Sequence, residues 1–172
     1  MPFRVVASDE AEDTDPGLPA AERVMAHARG KARDVAARVG VPPGGAVLGA
    51  DTEVVLEGLA LGKADDEGAA RDMLRALAGR PHEVLTGMVL ITESGEHEHL
   101  ASAVVHMREM PDPILDWYLS RGEWQGRAGA YAVQGSGAAL VTGIEGEPST
   151  VIGLPVAALA NLLQEAGIPA WE

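Results

Sequence analysis

Val47-Leu48-Gly49-Ala50-Asp51-Thr52-Glu53-Val54-Val55-Leu56-Glu57-Gly58, closing on Leu61-Gly62-Lys63, is the stretch whose reading decides the fold. Val47 and Leu48 form a short apolar run, the mark of a buried strand. The run stops at a small pair, Gly49-Ala50, where a bulky ligand can approach the backbone closely. Asp51 and Thr52 follow, then a second strand-like run, Val54-Val55-Leu56, which Gly58 ends. A carboxylate at a strand end and an ammonium a short turn later, here Asp51 and Lys63, is a common way to hold a phosphate and its counter-cation. The same spacing equally fits a β-hairpin whose Asp and Lys are only solvated or paired.

Upstream, Pro19 to Val39 reads as a helix. Ala21, Val24, Met25, Ala28, Ala32, Val35, Ala36 and Val39 recur at three- and four-residue steps and make one apolar stripe. Pro19 suits its first turn and Gly40 its end. Lys31 falls at the edge of the stripe, where a Lys ordinarily snorkels to water. Before the helix, Phe3-Arg4-Val5-Val6-Ala7 reads as a short strand, and Ser8 to Asp15 as an acidic, solvated loop.

Downstream, Asp65 and Asp66 cap a helix over residues 67–78, with Ala70, Met73, Leu74 and Leu77 inward and Gly79 as its stop. Residues 80–92 read as a long strand, and residues 97–107 return antiparallel after a Glu93-Ser94-Gly95-Glu96 turn. Strand, loop and helix followed by a hairpin imply an α/β domain with a mixed central sheet flanked by helices. His82, two residues after Arg80, is either a hydrogen-bonded strand-start residue or a catalytic one. His97 and His99 share a strand face, with no third metal ligand in sight. Asp112-Pro113 opens a short helix with Asp112 as its cap. The small-residue stretch Gly126–Gly137, around Tyr131 and Gln134, is an irregular loop or a ligand-binding one, with Arg127 supplying charge. Residues 138–144 read as a strand and residues 155–166 as a closing amphipathic helix.

Composition narrows the function classes. The 172 residues suit one domain, and the absence of cysteine excludes disulfides and thiolate zinc sites, compatible with a reducing cytoplasm. No apolar run reaches membrane-spanning length. A net charge of −13 argues against a nucleic-acid polymer, which needs a basic surface. It leaves room for a small nucleotide, which needs only a few local cations and a divalent metal. The only lysines are Lys31 and Lys63.

Five blocks in order carry a more specific reading: Gly49-Ala50-Asp51-Thr52, Leu61-Gly62-Lys63, Leu77 to Gly87, Arg127 to Gly135, and Val151-Ile152-Gly153-Leu154-Pro155. Together they resemble the Maf family of nucleoside triphosphate pyrophosphatases. The resemblance implies a single Maf/ITPase-like α/β domain over residues 1–172 with a bent, mixed sheet. It implies hydrolysis of dTTP, UTP and modified pyrimidine nucleotides to the monophosphate and pyrophosphate. Asp51 would be the general base and a metal ligand, with Lys63 and Gln134 beside it. Lys31, Thr52, Arg80 and Arg127 would bind substrate and its phosphates, and Glu10 would be a further metal ligand. Mg²⁺ or Mn²⁺ is the implied cofactor. Glu53, on the sheet face opposite Thr52, is a secondary candidate.

Two departures matter. Family members often carry Asp-Lys where this chain has Gly126-Arg127, and Arg is a fork where Lys is a point donor. The family's Ser-x-Ser-Pro-Arg-Arg loop has no counterpart before Met1, so an N-terminally truncated domain is expected, by a misassigned start or a true deletion. Such a chain invites two alternatives: an inactive nucleotide- or protein-binding relic, and self-association as a homodimer across the exposed sheet. A third reading is a pyrophosphatase for 7-methyl-GTP, a branch that carries Glu where Gln134 stands here.

Overall fold

The computed structural model describes residues 2–10 and 17–171. Helix α1, Ala20–Val39, forms where the apolar stripe requires it and buries Val24, Ala28 and Ala32 completely. Among the described helices it is the one that packs on its face of a five-stranded sheet. The strands are β1 (Val47–Leu56), β2 (Leu59–Leu61), β3 (Pro81–Thr92), β4 (Gly95–Met107) and β5 (Val141–Gly146), in the order β2-β1-β3-β4-β5. On the other face pack α2 (Glu67–Leu77) and α3 (Asp112–Leu119), around a core that includes Val54, Val84, Leu74, Leu115 and Tyr118. A second core on that face joins Met88 and Leu90 to Leu162 and Leu163 of α5, Val156–Glu165. The short helix α4, Pro148–Ile152, was not foreseen from the sequence; it ends at Gly153, whose φ of 109° is one that glycine adopts without strain. Among the described residues, no helix is long and apolar enough to cross a membrane.

The α/β arrangement with flanking helices is as expected, but the sheet is antiparallel in all four ladders rather than mixed. β2 and β3 do run in the same direction, and α2 connects them as a crossover helix would. β1 lies between them, so the two never pair.

The other corrections have local causes. β1 is one continuous strand, paired with β3 from Val47↔Ile91 to Val55↔Glu83, rather than two runs broken at Gly49-Ala50. A Cβ at Gly49 would stand 2.4 Å from the Ala28 carbonyl oxygen and 2.6 Å from the Ala32 nitrogen. Gly87, opposite Asp51, faces the same helix, its Cβ position 2.9 Å from Met25 Sδ and 3.0 Å from the Val24 carbonyl oxygen. Gly49 and Gly87 therefore admit a helix backbone, whereas Ala50, on the other sheet face, lines the cavity described below.

Phe3 to Ala7 is not a strand. It finds no ladder, leaves Phe3 and Val5 exposed, and is tied instead to α1, where the Arg38 guanidinium donates to the Ala7 carbonyl and Asp34 accepts from Ser8 Oγ and Asp9 N. Asp112 does not cap α3. Pro111 takes that position and the Asp112 carboxylate accepts from Arg75 Nη2 at 2.8 Å. Ala138 and Ala139, expected to open a strand, instead end a 3₁₀ turn, Gly135–Ala139, and β5 begins at Val141. Of the acidic loop, Glu12, Asp13 and Asp15 lie outside the described residues.

Candidate active site

β2 accompanies β1 only over Val54–Leu56, so among the described residues no strand lies beside the outer edge of β1 from Val47 to Glu53. The type of turn explains why β2 is so placed. Glu57 and Gly58, at φ 51° and 83°, form the two-residue turn whose positive φ values match the strand twist. Past β2 the chain swings to a bridge between Lys63 and Ala128, with Gly129 N donating to the Gly62 carbonyl at 3.0 Å. The 126–134 loop is thereby held beside the uncovered edge, and a cavity of about 260 Å³ opens between them.

The loop is built to keep that shape. Gly129 and Ala130 both take positive φ, 67° and 59°. A side chain at Gly137 would meet the Ala132 carbonyl oxygen at 1.9 Å, so only glycine closes the loop there. Glu123 accepts from Ser136 N at 2.8 Å, and its bonds to Ser136 hold its carboxyl below the usual carboxylate range.

Lys31, Asp51, Thr52, Lys63, Arg127 and Gln134, all singled out from the sequence, line this one cavity. Arg80 does not. Its guanidinium bonds Glu57 Oε1 at 2.5 Å and the Ala76 carbonyl oxygen at 3.3 Å. Glu10 is exposed and stands over α1, its Oε1 2.8 Å from where a Cβ on Gly30 would sit.

The polar wall of the site is a ladder between α1 and β1. Arg23, His27 and Lys31 recur every fourth residue and share a helix face, while Asp51 and Glu53 alternate onto one sheet face. Lys31 Nζ donates to Asp51 Oδ1 at 2.5 Å, and His27 Nδ1 lies 3.3 Å from Asp51 Oδ2. Arg23 clamps Glu53 with two bonds, Nε to Oε1 at 2.7 Å and Nη2 to Oε2 at 2.6 Å. Arg23 and His27 escaped the sequence reading. The signal was the four-residue spacing back from Lys31, legible only once its acidic partners are known.

One donor atom each from His27, Asp51 and Glu53 lie within 4.8 Å of one another, a group able to hold a metal ion. Arg23 engages both Glu53 oxygens in a fork and Glu53 does not line the cavity, so Asp51, which does, is the carboxylate better disposed to take a hard cation together with a ligand's own oxygens. His97, His99 and Glu10 join no such group among the described residues.

The remaining wall is apolar: Val54, Val84, Tyr131, Val151 and Ile152. His82 is the hydrogen-bonded strand-start residue of the two alternatives. It is buried behind Tyr131, with Nε2 2.8 Å from the phenol oxygen and the rings edge to face at 5.5 Å. Burial, and secondarily the His106 charge, depresses its pKa to about 4, so the imidazole is neutral near pH 7. Burial likewise pushes the Tyr131 hydroxyl up, and the phenol keeps its proton.

Comparison with known proteins adds independent findings. A family model described as "Maf-like protein" matches residues 1–166. A dTTP/UTP pyrophosphatase of Anaeromyxobacter dehalogenans (strain 2CP-C) is 44% identical over 170 residues, covering 96% of this chain and 84% of the relative. One from Moorella thermoacetica (strain ATCC 39073 / JCM 9320) is 42% identical over 174 residues, 99% of this chain and 88% of the relative. A more distant one, from Pyrococcus furiosus, is 38% identical over 159 residues, 92% of this chain and 80% of the relative.

Proposed function

The chain belongs to the Maf-like family, and from that premise we propose that it hydrolyses nucleoside triphosphates, dTTP and UTP foremost, to the monophosphate and pyrophosphate. The names of its relatives support this substrate class. The observation that carries the reading is local. In a chain of net charge −13, Lys31, Lys63 and Arg127 line one cavity around Asp51.

Hydrolysis at a phosphorus needs an activated water, offset phosphate charge and fixed alignment. Asp51 takes the proton from the attacking water. Lys31 already touches that carboxylate, so it fixes the carboxylate's orientation and can offset charge on a phosphate beside it. Lys63 and Arg127 enter from the opposite lip, on the bridge between the two loops, and flank the leaving phosphates. Gln134 caps the 3₁₀ turn at the rim, where a carboxamide can orient the nucleotide. Asp51 together with phosphate oxygens would hold one Mg²⁺ or Mn²⁺, which withdraws negative charge from the phosphates when bound. His27 keeps the second Asp51 oxygen engaged. Arg80 and Glu10, placed outside the cavity, have no part in this step.

The test is pyrophosphate release across a nucleotide panel, with Asp51→Asn alongside. Release from dTTP and UTP, reduced about 10²–10⁴-fold in the variant, is the expected result. No release from any nucleotide, or a clear preference for 7-methyl-GTP, overturns the reading.

A further inference from the structure

A metal held by Asp51 would have a second protein ligand within reach. His27 and Lys31, four residues apart on one face of α1, take one Asp51 oxygen each. Lys31 Nζ is 2.5 Å from Oδ1 and fixes the carboxylate, whereas His27 Nδ1 is 3.3 Å from Oδ2. A carboxylate only accepts, so without a metal the imidazole can meet it only as a donor. Charge-assisted bonds of that kind run at about 2.7–2.9 Å, and 3.3 Å is long for one. The separation suits two atoms that share a cation. Bonds of about 2.0–2.1 Å to an imidazole nitrogen and about 2.0–2.2 Å to a carboxylate oxygen fix the distance between the two donors. It is roughly 2.9 Å when they subtend a right angle at the ion and roughly 3.4 Å at the tetrahedral angle. The observed 3.3 Å falls inside that span. The two side chains are only 13% and 11% exposed, so little rearrangement is open to either. Glu53 brings a third donor within 4.8 Å of the other two, but the Arg23 fork holds it. Lys31 likewise keeps Oδ1, which confines a cation to Oδ2. The protein therefore offers one nitrogen and one oxygen, and water or phosphate oxygens would complete the shell.

We propose that His27 is a ligand of the metal at Asp51 and makes the site select ions that accept nitrogen, Co²⁺, Ni²⁺ and Zn²⁺, over Mg²⁺. This deepens the function proposed above and takes from it Asp51 as the metal-binding carboxylate. Mg²⁺ favours oxygen donors and keeps its waters, so an imidazole adds little to its hold. The later first-row ions bind imidazole well, and for them one nitrogen beside one carboxylate is a clear gain over a carboxylate alone. His27 supplies that nitrogen in the tautomer that carries its proton on Nε2, which leaves the Nδ1 lone pair towards Asp51. A seat made only of carboxylates and water would not draw this distinction.

The experiment is calorimetric titration of Co²⁺, Ni²⁺ and Mg²⁺ into the nucleotide-free protein, with the visible absorption of bound Co²⁺ followed alongside. The parent, His27→Leu, His27→Gln and His99→Gln are compared. Loss of a mere outer partner of a metal ligand costs about 10–100-fold in affinity, so loss of the ligand itself should cost Co²⁺ and Ni²⁺ at least about tenfold. Mg²⁺ affinity should change far less, and the Co²⁺ spectrum should differ between the parent and His27→Leu. His27→Gln replaces the nitrogen by an amide oxygen and should narrow the preference for Co²⁺ over Mg²⁺. Thermal transitions check folding, and His27→Gln carries the test alone if His27→Leu does not fold. His99→Gln removes a histidine beside the groove that Glu98, Glu147 and Glu165 line, and it should bind as the parent does. Equal Co²⁺ affinity in the parent and the His27 variants, a parent that prefers Mg²⁺, or Co²⁺ binding lost in His99→Gln overturns the assignment. Turnover of dTTP, measured separately, keeps the two readings apart. Turnover without a metal preference that depends on His27 leaves the function standing and removes the ligand. Co²⁺ binding that depends on His27, in a protein that cleaves no nucleotide, removes the function and leaves the metal seat.

Discussion

Gly49→Ala is the most exacting test of how the site is positioned. A methyl group in the middle of a strand is ordinarily harmless, and Gly to Ala can stabilise by about 0.4–1 kcal/mol through the unfolded chain. Here the added carbon would lie 2.4 Å from the Ala28 carbonyl oxygen, 2.6 Å from the Ala32 nitrogen and 2.8 Å from the Ala32 Cβ. Two of these atoms are helix backbone and do not turn aside. Ordinary contact begins near 3.4 Å, so α1 must retreat by about 1 Å. Overpacking of this kind costs about 1–3 kcal/mol and outweighs the entropic gain. The same retreat stretches the Lys31–Asp51 bond from 2.5 Å to about 3.5 Å, beyond useful hydrogen bonding. A displacement of that size in an active site can cost roughly 10²-fold in rate. Urea unfolding and dTTP turnover measured on the same preparation should therefore fall together. Gly62→Ala, with nothing within 4 Å of its Cβ position, is the control and should change stability by no more than about 0.5 kcal/mol. An unchanged urea midpoint with kcat within a factor of two for Gly49→Ala would refute the seating of α1 against Gly49 and Gly87.

Three further outcomes follow from the geometry. Lys31→Ala and Lys63→Ala should each weaken dTTP binding, most at low salt, and titrations from 20 mM to 500 mM salt should show the gap from the parent narrowing as phosphate charge is screened. His82 has a folded-state pKa near 4 against an ordinary 6.5, so between those values the unfolded chain binds a proton that the fold refuses. Stability should be flat in this respect above about pH 7 and fall as pH drops from 6.5 towards 4, and urea midpoints of His82→Gln should lack that component. Arg23→Met strands the Glu53 carboxylate, whose side chain is only 13% exposed, and should cost about 3–5 kcal/mol; Arg23→Met with Glu53→Leu should recover most of it.

The sequence exposes those features that are local. The apolar stripe of α1 is written at helical spacing, and the Asp66 side chain does cap α2, accepting from Ala69 N at 2.8 Å. Asp51, Lys63 and Gln134 were found because each sits in a short ordered block, and the fold brings them to one cavity. What the sequence hides is set by register between distant segments. Gly49 looks the same in the sequence whether it breaks a strand for a ligand or thins one for a helix. Only the arrival of Ala28 and Ala32 decides. His27 has no marker of its own, because its meaning comes from Asp51, 24 residues away, with α1 crossing β1 in one register. Phe3 to Ala7 alternates no worse than many true strands, but a strand is half of a pair, and this segment meets a helix side chain instead, Arg38 at the Ala7 carbonyl. Arg80 lies in a matching block, yet its neighbour Glu57 across the β1–β2 turn claims it.

The separation of cation types bears on why the site works in so acidic a chain. Arginine forks are used to fix α1. Arg23 grips Glu53 of β1, Arg29 grips Glu98 of β4 with bonds of 2.7 Å and 2.9 Å, and Arg33 grips Glu96 of β4 with two of 2.8 Å. These bonds hold the Glu96 and Glu98 carboxyls below their ordinary range. Exposed pairs of this kind add little to stability, about 0–1 kcal/mol each, so their consequence is geometric. Three two-point clamps along one helix, reaching β1 at one end and β4 at the other, leave α1 little freedom to slide or roll. Lys31 lies between Arg29 and Arg33 in sequence and turns towards Asp51. A lysine is a flexible point charge, able to exchange a carboxylate for a phosphate without demanding a planar partner. On α1 the rigid, planar cations therefore hold the frame, and both lysines of the chain are kept for the cavity, where Arg127 joins them. The negative total is then no obstacle, because the acids beyond the cavity neutralise the clamps while the field that a triphosphate meets is set by Lys31, Lys63 and Arg127, which line it.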